Sequence, residues 1–103
     1  MGSRLEQLAQ IVSANPENVL ARYGLAMEYA QQRDYTRALE NFRTLMAASP
    51  NYVAAYYQAG KVLQNLGDEA QARAVLQQGI EASVRANDVH ARSEMEALLA
   101  ELR

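Results

Sequence analysis

Apolar residues recur along this 103-residue chain at intervals of three and four, the spacing of one face of an α-helix, and nowhere in the two-residue alternation of a strand. Val19, Tyr23, Ala26 and Tyr29 or Ala30 make one such stripe; Ala38, Phe42, Leu45 and Met46 make the next, after a polar break at Gln31-Gln32-Arg33-Asp34. Val53, Tyr56, Gly60 and Leu63 then lead to Gly67-Asp68, beyond which Ala72, Val75, Leu76, Gly79 and Ile80 continue. Leu5, Leu8, Ile11 and Val12 form a leading stripe, and Ala91, Met95, Leu98 and Leu102 a trailing one after Asn87-Asp88. These patterns predict six helices near residues 3–14, 17–32, 35–48, 52–66, 69–86 and 88–102, and no sheet.

Helix punctuation agrees with the stripes. Ser3 and Glu6 have capping-box spacing, so the amino-terminal residues read as a helix start. Met1-Gly2-Ser3 also resembles a myristoylation start, but Glu6 stands where that signal needs a hydroxyl. Gly67 suits the left-handed residue that ends a helix, and Asp68 suits a cap for the next. Asn15-Pro16 and Ser49-Pro50 each pair a capping side chain with a proline fit for a first helical turn, predicting that Asn15 and Ser49 cap the helices that follow and that the same junctions stop the helices before them.

A shift of 34 residues superimposes the two middle segments: Pro16 falls on Pro50, Val19 on Val53, Ala21 on Ala55, Tyr23 on Tyr57, Asp34 on Asp68, Ala38 on Ala72 and Ala48 on Ala82. Phe42 with Leu76 and Met46 with Ile80 keep their apolar character. The chain therefore contains a duplicated two-helix unit.

Composition narrows the function classes. Ten basic against twelve acidic side chains give a formal charge of -2, and the arginines are scattered, so neither nucleic acid nor an anionic membrane surface is an expected partner. No apolar run approaches a membrane span, and a cytoplasmic location is the default expectation. The absence of cysteine excludes disulfides and thiolate chemistry. His90 is the only histidine and Asp88, two residues away, cannot share its helix face, so no metal site or cofactor is expected. Ser13, Ser49, Ser83 and Ser93 read as helix-end or surface serines without a base, and Gly60-Lys61-Val62 lacks the hydroxyl and earlier glycine of a phosphate loop. The chain is expected not to be an enzyme.

The duplicated unit resembles the tetratricopeptide repeat family in Leu25-Ala26, Tyr29, Tyr35, Ala38, Phe42 and Pro50 of the first copy. The second copy matches it in Tyr56, Ala59-Gly60, Leu63, Gly67-Asp68, Ala72 and Leu76. Departures are Arg22, where tryptophan is common, and Val84, which replaces the closing proline and should let the preceding helix run on through Arg85. The resemblance implies an all-α, right-handed α-α superhelix of antiparallel helices filling a single domain, 1–103, with a leading helix at 3–14, repeats at 17–50 and 51–86, and a capping helix at 88–102. Ser93 and Glu94 stand where two small packing residues would, so the last helix reads as a polar-backed cap that completes the stack.

The resemblance further implies a non-catalytic module that binds a protein or peptide in a groove lined by the first helix of each unit. By that register the lining is Leu20, Tyr23, Met27 and Gln31, then Ala54, Tyr57, Lys61 and Asn65 with Gln64 nearby, and Arg92 and Met95 from the last helix. The expected binding set is Leu20, Tyr23, Met27, Tyr57, Lys61, Gln64 and Arg92, with tyrosine and methionine as contact area and the cations drawing acidic groups. Positions that clamp a terminal carboxylate in chaperone-binding members here hold Tyr23, Met27, Gln58, Asp88 and Arg92; only Arg92 suits that ligand and Asp88 would repel it. The alternative is that the same apolar surface joins two copies of the chain, which would otherwise be a monomer or weak homodimer.

Overall fold

The structure, a computed structural model, describes residues 2–102; the expected domain limits, 1 and 103, lie just outside them. Six helices follow one another: α1 (Arg4–Ala14), α2 (Val19–Gln31), α3 (Tyr35–Ala48), α4 (Val53–Asn65), α5 (Glu69–Arg85) and α6 (Val89–Glu101). No strand occurs among the described residues. Each helix packs on its chain neighbours and α4 also touches α2 and α6, giving a slab of 42 × 28 × 19 Å.

The capping box forms as expected: Glu6 N–H donates to Ser3 Oγ and Ser3 N–H to Glu6 Oε1, each at 3.2 Å. The proline junctions differ from expectation. Asn15 and Ser49 end α1 and α3, and their carbonyls accept from the N–H groups of Asn18 (3.1 Å) and Tyr52 (3.0 Å), closing turns with proline in second place. A residue before proline is pushed out of the helical region, so it stops a helix, and α2 and α4 start only at Val19 and Val53. Asn18 caps α2 by accepting from Ala21 N–H at 3.0 Å, whereas Tyr52 gives α4 no side-chain cap.

Three other junctions share one geometry. Arg33, Gly67 and Asn87 all have positive φ (62°, 79° and 56°). The residue after each is an aspartate whose N–H reaches back to a carbonyl five residues earlier: Asp34 to Tyr29, Asp68 to Leu63 and Asp88 to Ser83. Each aspartate then caps the next helix, accepting from Arg37, Gln71 or Ala91 N–H. This pairing satisfies the last carbonyls of one helix and the first amides of the next within four residues.

The helix lacking a closing proline does run on: α5 has 17 residues and α3 has 14. Its overrun moves the start of α6, so that the cap of α6, Asp88, lies 36 residues after Tyr52 at the start of α4 rather than 34. The register of the last helix is therefore two residues later than the repeat period implies.

Packing follows the alternation of small and large side chains. Val12, Ala21 and Leu25 join α1 to α2, and Tyr29 links them to a core of Ala26, Ala38, Phe42, Leu45, Ala55, Ala59 and Val62. Leu39, Met46 and Val75 connect this to a second core containing Tyr56, Leu63, Leu76, Met95 and Leu98. Phe42 and Leu76 are both fully buried. Gly60 is obligatory at the α4–α5 contact, because a Cβ there would stand 2.6 Å from Leu76 Cδ2. Ser83, expected at a helix end or surface, is buried; its hydroxyl donates to the Ile80 carbonyl at 2.7 Å, which meets its hydrogen-bonding need inside the helix.

Candidate functional site

The side formed by α2, α4 and α6 carries two cavities that meet at Gln58. The first, about 190 Å3, lies between the ends of α2 and α4 and is lined by Met27, Gln31, Tyr35, Gln58, Lys61 and Asn65 among others. The second, about 230 Å3, lies between the starts of α4 and α6 and is lined by Ala54, Tyr57, Gln58, Asp88, His90, Ala91 and Glu94. Met27, Tyr57 and Lys61 of the expected binding set are thus brought to one groove, with Gln31, Ala54 and Asn65 beside them. Lys61 Nζ lies over the Tyr57 ring, 5.3 Å from its centre, a cation–π contact that holds the ammonium at the junction of the two cavities.

Tyr23 sits behind the groove. Its ring packs edge-on to Phe42 at 6.0 Å and tilted against Tyr52 at 5.3 Å. Burial, chiefly, raises the Tyr23 phenol above its ordinary value of 10.0; Tyr52 adds to the rise and a hydrogen bond with Gln58 opposes it. Tyr23 therefore braces the wall and orients Gln58 as much as it offers surface. The Tyr52 ring fills the space between α2 and α4 at the level where Asp88, its counterpart at the start of α6, leaves the second cavity open. Leu20, near the start of α2, is 74 % exposed and lines neither cavity. Gln64 is exposed and also lines neither; its neighbour Asn65 does.

Two residues of the last helix lie elsewhere than expected. Arg92 pairs with Glu96 at 3.2 Å and lines a different depression, with Ser83, Val84, Asn87 and Val89. Met95 is 0 % exposed, its sulfur seated against Gly79. Both assignments counted 34 residues from α4, whereas the extension of α5 makes the interval 36. Glu94, not Arg92, then takes the place that Gln58 holds in α4, and Met95 takes the buried place of Ala59.

This shift changes the electrostatics of the groove. Its α6 end carries the carboxylates of Asp88 and Glu94, with His90 Nε2 3.5 Å from Glu94 at the open surface. Its α2 end is neutral apart from Lys61. Gln58, which the resemblance named only as one of the clamp-equivalent positions and which was not in the expected binding set, is the one side chain common to both cavities. Among the described residues no three histidine or acidic side chains gather as metal ligands. Among the described residues no helix is long and apolar enough to cross a membrane.

Similarity to known proteins follows the same architecture. The chain is 32% identical over 98 residues to a TPR repeat-containing protein of Pseudomonas aeruginosa, covering 95% of this chain and 93% of that one. Its structure matches the solution structure of a tetratricopeptide repeat domain protein from Salinibacter ruber with a TM-score of 0.79 and 31% identity, over 84% of this chain and 88% of that one. It matches the solution structure of a Bordetella parapertussis protein with a TM-score of 0.85 and 29% identity, over 98% and 88%. The fold is also that of the TPR2B domain of yeast Sti1, solved in complex with pHsp70, at a TM-score of 0.87 and 17% identity over 93% and 77%. The profile of the tetratricopeptide repeat matches residues 29–102, and the chain belongs to that family.

Proposed function

We propose that this protein is a non-catalytic adaptor that holds an extended peptide or a single helix of a partner protein in the α2–α4–α6 groove. The observation that carries this reading is the pair of cavities joined at Gln58, with apolar area from Met27 and Tyr57 beside the donors of Gln31, Gln58, Lys61 and Asn65. A string of small cavities along inner helices suits successive side chains of one peptide better than a single compact ligand. The yeast Sti1 domain with the same fold was solved with a polypeptide partner, which supports the same class of ligand here. Lys61 favours an acidic side chain on the partner near the middle of the groove, and Asp88 with Glu94 favours a basic one towards α6.

The test is calorimetric titration of a partner captured from the native host against wild type, Tyr57→Ala, Lys61→Glu and Gln77→Ala, the last on the exposed surface of α5. Tyr57→Ala is expected to weaken binding by about 2 kcal/mol, as loss of an aromatic anchor does. Lys61→Glu should weaken it more at low salt than at high salt, and Gln77→Ala should leave it unchanged. Equal affinities across all four proteins would move the site off the groove. Concentration-dependent sedimentation abolished by Tyr57→Ala would instead favour self-association through that surface.

A further inference from the structure

A third cavity, about 280 Å3, is not in the groove: it lies between the start of α2 and the end of α3, with Pro16, Val19, Leu45 and Ala48 forming its apolar walls and Arg22 at its rim. We propose that it receives a tyrosine side chain presented by a partner polypeptide. The argument comes from the chain's own second repeat. The 34-residue period places Arg22 on Tyr56, Leu45 on Gly79 and Ala48 on Ala82. In the second repeat Tyr56 is buried, its Cβ so near Gly79 that a Cβ there would lie 2.5 Å away, and its hydroxyl donates to the Pro50 carbonyl at 2.7 Å. A phenol ring thus bridges the second helix of the pair and the proline turn.

In the first repeat no ring does so. The Arg22 guanidinium turns towards α3 and donates to Asn41 Oδ1 at 3.0 Å, reaching the Pro16 carbonyl only at 3.5 Å. Leu45 points into the core shared with Ala55 and Ala59, where it is almost wholly buried, and leaves the proline side open. The first repeat therefore keeps Pro16, Val19 and Ala48 from the walls of the tyrosine slot, with Leu45 in the place of Gly79 on the inner side, and a carbonyl with acceptor capacity at its end. The guanidinium at the rim can lie against an incoming ring face. The chemistry that fits is the one the fold already uses 34 residues later, a phenol whose hydroxyl meets a proline carbonyl.

The probe is N-acetyl-tyrosinamide, titrated into the full chain and followed by amide and methyl NMR. Saturable shifts are expected at Val19, Arg22, Leu45 and Ala48, with N-acetyl-phenylalaninamide binding about fivefold more weakly for want of the hydroxyl. Arg22→Tyr, which supplies a ring from within, should abolish the shifts in the folded variant. Ala48→Leu, narrowing the mouth at an exposed position, should abolish them even if Arg22→Tyr does not fold. The absence of saturable shifts, their persistence in the folded variants, or their appearance around Ala54 and Tyr57 instead would overturn the assignment. Equal binding of the phenylalanine probe would overturn the tyrosine specificity, and binding of free p-cresol alone would overturn a polypeptide as the source.

Discussion

The two helical pairs, α2–α3 and α4–α5, are cut to the same 34-residue pattern yet distribute volume in opposite ways. In the first, a large residue on the second helix, Leu45, faces a small one on the following inner helix, Ala59. In the second, the corresponding Gly79 faces Met95, whose sulfur occupies the room that a side chain on α5 would need. In each place a large residue meets a small one, but the two partners exchange roles. The same exchange occurs at Arg22 and Tyr56, where an arginine bonded to Asn41 and a buried phenol bonded to Pro50 stand at one repeat position. A repeat thus preserves contacts between positions, and the side chains making each contact are free to trade.

The largest effect is expected where the two units do agree. Phe42 and Leu76 hold the same fully buried place, so Phe42→Ala should cost about 3–5 kcal/mol and Leu76→Ala about 2–5 kcal/mol. Urea denaturation measures both; a loss under about 1 kcal/mol at either would show that the two units do not share that core position.

Next is the exchanged pair. Gly79→Leu, which copies the first unit into the second, should lose about 1–3 kcal/mol or more by driving the new side chain into Met95 and Tyr56. Adding Met95→Ala copies the other half and should recover part of that loss, with a coupling of about 0.5–3 kcal/mol between the two sites. Strict additivity would mean that the opposed volumes are not compensating.

A smaller effect separates the left-handed turns. Gly67 bears its φ of 79° without a side chain, whereas Arg33 holds 62° with one. Gly67→Ala should cost about 1 kcal/mol, and Arg33→Gly should gain at most about 1 kcal/mol, reduced by the greater freedom of glycine in the unfolded chain. Thermal melts of the two variants, moving in opposite directions, check the pair.

The smallest is electrostatic. Because burial raises the Tyr23 phenol, the folded state holds that proton more tightly than the unfolded state. Its contribution is fully present below the ordinary phenol value and is lost as pH rises through and beyond it. Ultraviolet titration should show one late-ionising tyrosine that disappears in Tyr23→Phe, together with a stability loss at high pH that the variant lacks.

How much of this was legible depends on the range over which each feature is decided. Helix faces, the duplicated period, the capping box at Ser3 and the turns at Gly67 and Asp68 depend on a few neighbouring residues, and the sequence shows them directly. The proline junctions were legible as helix stops but not as caps, because proline suits both a first helical turn and the turn before it; the exclusion of the residue before proline from the helical region decides for the turn. The groove was legible at Met27, Tyr57 and Lys61, where the period holds, and illegible at Arg92 and Met95, where it slips by two.

By itself the sequence determined the helix count, the small-and-large alternation that sets helix spacing, the family, and the side of α2 and α4 that carries the groove. The helix count and the alternation follow from periodicity, which residue order alone carries; the family rests on the signature residues, and the groove side on what that resemblance implies. The run of α5 through Arg85 was expected from Val84 in the proline's place; tertiary structure decided which face of α6 then meets the groove. It decided that Tyr23 braces the wall and that the slot filled by Tyr56 stays open beside Arg22. These depend on volumes and hydrogen-bond partners contributed by residues far apart in the chain, which only the packed helices bring together.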